Sequence, residues 1–201
     1  MRKKVLVRAP VLTRSGYGEH ARFVIRSLRA REDIFDIYII PIKWGETGWI
    51  VSDDEERIWM DARIEATGRY VQSGGQFDIS IQVTIPNEWD IMAPVNIGVT
   101  AGIEATKVAP VWLEKANMMD KVIVVSEHAK QGFVNTVYEG TNTKTDQPMT
   151  LTCKTPIDVI HYPVKKYEDL QELDLGLEHD FNYVVVAQHG PRKNLENTIR
   201  W

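Results

Sequence analysis

Short runs rich in β-branched residues recur along this chain, each followed by a longer segment with helical spacing. The runs fall at residues 4–9, 35–42, 77–83, 96–100, 121–126, 157–161 and 183–187. Several are apolar almost throughout, as in Val122-Ile123-Val124-Val125 and Val184-Val185-Val186. Alternating polarity marks a strand with one face in water, whereas continuous apolarity marks a strand covered on both faces, as in a parallel sheet. Between the runs, residues 19–30 place Ala21, Val24, Ile25 and Leu28 on one helical stripe. Residues 53–71 open on acids that suit a helix N-terminus, and residues 110–119 carry Pro110 near their first turn. A further helix follows Ser126, a good N-cap, to about Thr136. The alternation predicts an α/β fold: a doubly wound, mainly parallel, Rossmann-like sheet with right-handed crossovers.

Two stretches interrupt the rhythm. Residues 139–154 are polar and predict a loop or a hairpin turning at residues 142–147. The next break, at residues 163–181, is led by Pro163 and then highly charged. The expected organisation is a domain over 1–163, a linker over 164–181, and the start of a second domain over 182–201. That last piece holds one strand, a loop and a helix reaching Trp201. A single βα unit cannot build a core, so the expectation is a fragment of a longer protein.

Composition narrows the class. With 43% apolar and 26% charged residues among 201, the chain is neither disordered nor collagen-like. No apolar run approaches the ~18 residues of a membrane span, and Arg8 interrupts the opening run before a signal-peptide core can form. Cys153 is the single cysteine, which permits no internal disulfide and fits a reducing, cytoplasmic setting. The net charge is −4, yet residues 1–31 carry nine Arg or Lys against one acid, Glu19. Such a segment suits an anionic partner, unless acidic neighbours in the fold neutralise it.

Four turns could carry chemistry. Ser15-Gly16-Tyr17-Gly18-Glu19-His20-Ala21 precedes the first helix, and its glycines would let backbone approach an anion at the helix N-terminus. Gly16, Gly18 and Ala21 match the spacing of a dinucleotide fingerprint. Residues 10–15 nevertheless separate the motif from its strand, and Asp36 stands at the start of strand two rather than its end, which argues against NAD. His189-Gly190-Pro191-Arg192-Lys193-Asn194 would deliver Arg192 and Lys193 near another helix start. Ser126-Glu127-His128 and Thr100-Ala101-Gly102-Ile103-Glu104 also follow strands, where ligands of such sheets gather. Trp44 and Trp49, in a glycine-bearing loop after strand two, offer rings that could stack on a sugar or simply pack. The sequence holds no P-loop, no His-Glu-x-x-His, no paired cysteines and no Asp-x-Asp, so no metal site is expected.

Taken in order, these pieces resemble the N-terminal half of a GT-B glycosyltransferase of the family 4 (group 1) type. The resemblance is carried by Ser15-Gly16-Tyr17-Gly18, by Val122 through Lys130 with its Val-Ser-Glu core, by Pro156-Ile157-Asp158-Val159-Ile160, and by Val184 through Asn194. It implies transfer of a sugar from a nucleotide-diphosphate-sugar, with no other cofactor and no metal. Its implied sites are Gly16, Gly18, Arg192 and Lys193 for the donor diphosphate, Glu104 and His128 for catalysis, and Trp44 and Trp49 for the acceptor. The acceptor would be a sugar, a lipid-linked sugar or a protein, with no nucleic acid involved. The face formed by Arg22, Arg26 and Arg29 would meet an acidic acceptor or an acidic membrane surface. Two departures stand out: Gln188 occupies the place of the family's arginine after the second-domain strand, and Thr100-Ala101-Gly102 that of its usual histidine. As a fragment, the chain is expected to be inactive. The reading from a different class is a non-catalytic binding module.

Overall fold

The computed structural model describes residues 2–44, 47–141, 146–164, 174–187 and 189–200. The chain divides into two compact units, Met1–Pro163 and Val164–Trp201.

The first unit is built on six parallel strands: β1 (Lys3–Ala9), β2 (Phe35–Pro41), β3 (Ile79–Val83), β4 (Val95–Thr100), β5 (Lys121–Val124) and, after a hairpin, β8 (Ile157–Val159). Their order is β2-β1-β3-β4-β5-β8, with every pairing parallel. The α/β doubly wound expectation is therefore met. Strands alternate their side chains between two faces. Helix α1 (Gly16–Arg29) sets Ala21, Ile25 and Leu28 against Val5, Val7, Ile37 and Ile39 on one face. On the other, α3 (Pro110–Ala116) and α4 (Glu127–Val134) bury Leu113, Ala116, Ala129 and Phe133 against Val122, Val124 and Ile157. Helix α2 (Glu55–Gln72) runs beside edge strand β2, where Thr67 Oγ1 accepts the Ile39 amide at 2.7 Å and so satisfies an edge donor.

The β3–β4 crossover has no α-helix, only a 3₁₀ turn at Pro86–Glu88. Polar side chains brace it instead. Gln82 exchanges hydrogen bonds with the Asp90 backbone (2.5 and 3.0 Å), and Asn96 Oδ1 accepts from Ser80 Oγ and the Met92 and Ala93 amides. Trp89 fills the space a helix would occupy, lying against Gly98, where a Cβ would come within 2.7 Å of its ring. The expected hairpin is present as antiparallel β6 (Tyr138–Thr141) and β7 (Pro148–Leu151).

In the second unit, residues 183–187 form no strand, contrary to the expectation. Val184 and Val186 are 88% and 93% exposed. Apolarity alone does not make a strand; the ladder needs a neighbour, and the described residues of this unit contain none. Beyond them the chain forms a 3₁₀ turn, Pro191–Lys193, and the short helix α5 (Leu195–Arg200). Half of the expected linker, residues 165–173, and Gln188 lie outside the described residues. Among the described residues no helix is long and apolar enough to cross a membrane.

Candidate functional site at the carboxyl edge of the sheet

The chain steps from β1 outward to β2, then back past β1 to β3, so strand order reverses between β1 and β3. In open parallel sheets ligands bind outside the carboxyl ends of the strands at such a reversal. The segments that meet there are the β1–α1 turn and the loops after β3 and β4.

The β1–α1 turn is held by its own side chains. Ser15 Oγ accepts the Gly18 amide at 2.9 Å and caps α1, while Thr13 Oγ1 lies 2.8 Å from Ser15 Oγ and donates to Pro10 O. Helix α1 thus begins at Gly16, ahead of the expected start at Glu19, and Gly16 and Gly18 belong to its first turn rather than to a loop over the sheet. The two glycines differ in kind. A Cβ on Gly18 would lie 2.1 Å from Thr13 O, so its missing side chain is used by the turn itself. Around Gly16 nothing lies within 4 Å of a Cβ, which leaves open space beside the helix N-terminus.

Tyr17 joins this turn to β4. Its hydroxyl sits 2.8 Å from Thr100 Oγ1 and accepts the Ala101 amide at 3.2 Å. Burial pushes the phenol upward, against the hydrogen bonds from Thr100 and Ala101, so it stays protonated at neutral pH. Just beyond, Gly102 takes φ +83°, and a Cβ there would lie 2.6 Å from Ala129 Cβ. This close approach sets the β4–α3 loop, which carries Glu104, against the first turn of α4, which carries His128. Both side chains are exposed. Ser126 caps α4 as expected, accepting the Ala129 amide.

The loop after β2 folds back over the same turn. Arg14 N donates to Gly48 O, Ile50 N donates to Leu12 O, and Thr13 bridges Trp49. Trp44 is half-buried against Tyr17, with ring centroids 4.7 Å apart, while Trp49 is 46% exposed. The structure therefore brings Gly16, Gly18, Trp44 and Trp49 to one turn. Arg192 and Lys193 belong to the second unit, in its 3₁₀ turn, with Lys193 exposed.

The basic helix face is not free. Arg22 is 6% exposed, donating to Val11 O, Thr13 O and the Glu19 carboxylate. Arg26 forks onto Glu56 and also reaches Glu19, and Arg29 pairs with Glu55. Neutralisation within the fold, the alternative to an anionic partner, accounts for these three. Arg22 instead ties α1 to the turn before it. Lysine gathers its donors on one nitrogen and cannot place Nε and Nη2 on the Glu19 carboxylate while Nη1 reaches both carbonyls, so Arg22→Lys is expected to cost about 1.5 kcal/mol, lowering the thermal midpoint by about 4 °C.

Sequence reasoning passed over Tyr17, Thr100 and His20 as site-edge residues. His20 is 7% exposed, its ring edge-on to Tyr162 at 4.8 Å, and its Nδ1 is buried without a partner. Burial depresses its pKa from 6.5 to about 4. Among the described residues no cluster could hold a metal ion. Comparison with protein-family models, curated proteins and solved structures finds no match to this chain.

Proposed function

We propose that the chain carries the acceptor-side domain of a metal-independent glycosyltransferase of GT-B architecture, which uses a nucleotide-diphosphate-sugar donor. The observation that supports this reading is the open space at Gly16. It lies at a helix N-terminus on the carboxyl edge of the sheet, on a turn tied through Tyr17 to the end of β4. Backbone donors fixed in that way suit a diphosphate, and they need no reorganisation as charge develops on a leaving group. Arg192 and Lys193 are, on the sequence resemblance alone, proposed as diphosphate-binding residues. Trp44 and Trp49 flank the turn as ring surfaces for a saccharide acceptor, and Glu104 and His128 are the polar side chains proposed to act on its hydroxyl.

The test is an amide spectrum of the chain titrated with UDP, GDP or NAD in EDTA. UDP or GDP is expected to move the Gly16 and Tyr17 signals, and Gly16→Val to abolish the movement while leaving the rest of the spectrum in place. Movement caused by NAD but by neither diphosphate would sink the transferase reading. A strict need for a divalent ion would remove its metal independence.

A further inference from the structure

A small cleft lies between the loop after β2 and the first turns of α2. It measures about 200 Å³ and is lined by Trp49, Ser52, Asp53, Arg57 and Asp61, among others. Drug-sized ligands usually occupy roughly 300–1,000 Å³, so this cleft suits a single small ring rather than a nucleotide. Its side chains are open to solvent. Trp49 is 46% exposed, and the Arg57 and Asp61 side chains keep 22% and 50% of their surface in water.

The exposed indole stands on a segment held from both sides. Arg14 N donates to Gly48 O, Ile50 N donates to Leu12 O, and Trp49 itself bridges Thr13. From α2, the Arg57 guanidinium donates to Ile50 O through Nη1 and to the Asp61 carboxylate through Nε at 2.9 Å. Two chemistries are thereby fixed in one cleft: an apolar ring, and a polar edge of two carboxylates and a guanidinium.

A sugar ring divides in the same way. Its C–H groups form an apolar face that an indole can cover, and its hydroxyls donate and accept around the rim. Carboxylates accept from such hydroxyls, and a guanidinium donates to them. A cation would meet Arg57, and an anion would meet Asp53 and Asp61, whereas a neutral polyol pairs with all three.

We infer that this cleft binds one neutral pyranose, stacked on Trp49 and hydrogen-bonded through neighbouring hydroxyls to Asp53, Arg57 and Asp61. Calling that pyranose a unit of the acceptor rests on the transferase reading; the binding itself does not.

The experiment follows the Trp49 indole N–H signal, assigned through Trp49→Phe, in separate titrations of the chain. The probes are the methyl glycosides of glucose, galactose and mannose, with tetramethylammonium and adenosine beside them. At least one glycoside is expected to move the signal saturably, with a dissociation constant on the order of millimolar. Asp53 is exposed and does not cap α2, so Asp53→Asn should leave the fold intact and weaken that binding about tenfold, the loss of one charge-assisted hydrogen bond. In Trp49→Ala the Asp53 amide should no longer respond to the glycoside. Silence with every glycoside, undiminished binding by Asp53→Asn, or tighter binding of tetramethylammonium or adenosine would overturn the inference. The Gly16 amide reports separately. A UDP response there beside a silent Trp49 sinks this inference alone, and a glycoside response beside a Gly16 silent to UDP and GDP counts against the transferase reading alone.

Discussion

Gly18→Ala is expected to lower the thermal midpoint of the first unit by roughly 10 °C, a loss of about 3 kcal/mol, whereas Gly16→Ala leaves it unchanged or slightly raised. Both glycines lie in the first turn of α1, where alanine would ordinarily be the better helix former. The difference comes from what each hydrogen faces. At Gly18 the added carbon would lie 2.1 Å from Thr13 O, 2.7 Å from Thr13 Oγ1 and 3.0 Å from Pro10 O. Two of those are main-chain oxygens of the turn, so relief requires moving the turn itself. Such movement would break the Thr13–Ser15 contact and the Ser15 cap on Gly18, and would pull Thr13 O from Arg22. At Gly16 the same carbon meets nothing within 4 Å. Calorimetry of the two variants checks this contrast. A wild-type midpoint for Gly18→Ala would mean the turn is loose, and a loose turn could not present fixed donors to a diphosphate.

The same turn shows where sequence reasoning succeeds and where it stops. Strands such as β1 were legible because burial on both faces, as at Val5, Leu6 and Val7, writes itself as unbroken apolarity, and α4 was legible because Ser126 is a local cap. The start of α1 was not, because glycine reads as loop although it is tolerated in a first turn; the deciding bond, from the Gly18 amide to Ser15 Oγ, is invisible without coordinates. Arg22 read as part of a basic face for an acidic acceptor or surface, yet its partners include carbonyls of Val11 and Thr13, whose direction depends on how the turn folds. Residues 183–187 failed in the opposite sense. Their composition is that of a strand, but a strand is a property of a pair. The candidate site divides along similar lines: its place at the carboxyl edge follows from topology, whereas Tyr17 bonded to Thr100 joins residues distant in sequence.

Acidification is expected to destabilise the wild-type chain through His20 by about 3 kcal/mol between neutral pH and about pH 4, and His20→Phe is expected to remove that share. The folded value, about 4, lies below the ordinary 6.5, because burial disfavours the imidazolium. Between those two values the unfolded chain binds more protons than the folded one, so stability rises with pH across the window. It is complete above the unfolded value and is lost as pH falls toward the folded one. The ring's aromatic neighbour, Tyr162, is raised further by burial, stays uncharged throughout and offers the imidazolium no counter-charge. Burial pushes the Glu19 carboxyl up, but the hydrogen bonds and charges of Arg22 and Arg26 together outweigh it and hold the group low. Its contribution is lost on acidification in both the wild type and His20→Phe, so it cancels in the comparison. The denaturant midpoint of the wild type should therefore fall further between neutral pH and about pH 4 than that of His20→Phe. Direct titration of the imidazole provides the decisive check. A His20 pKa near the ordinary histidine value would place the ring in water, and the acid sensitivity would go with it.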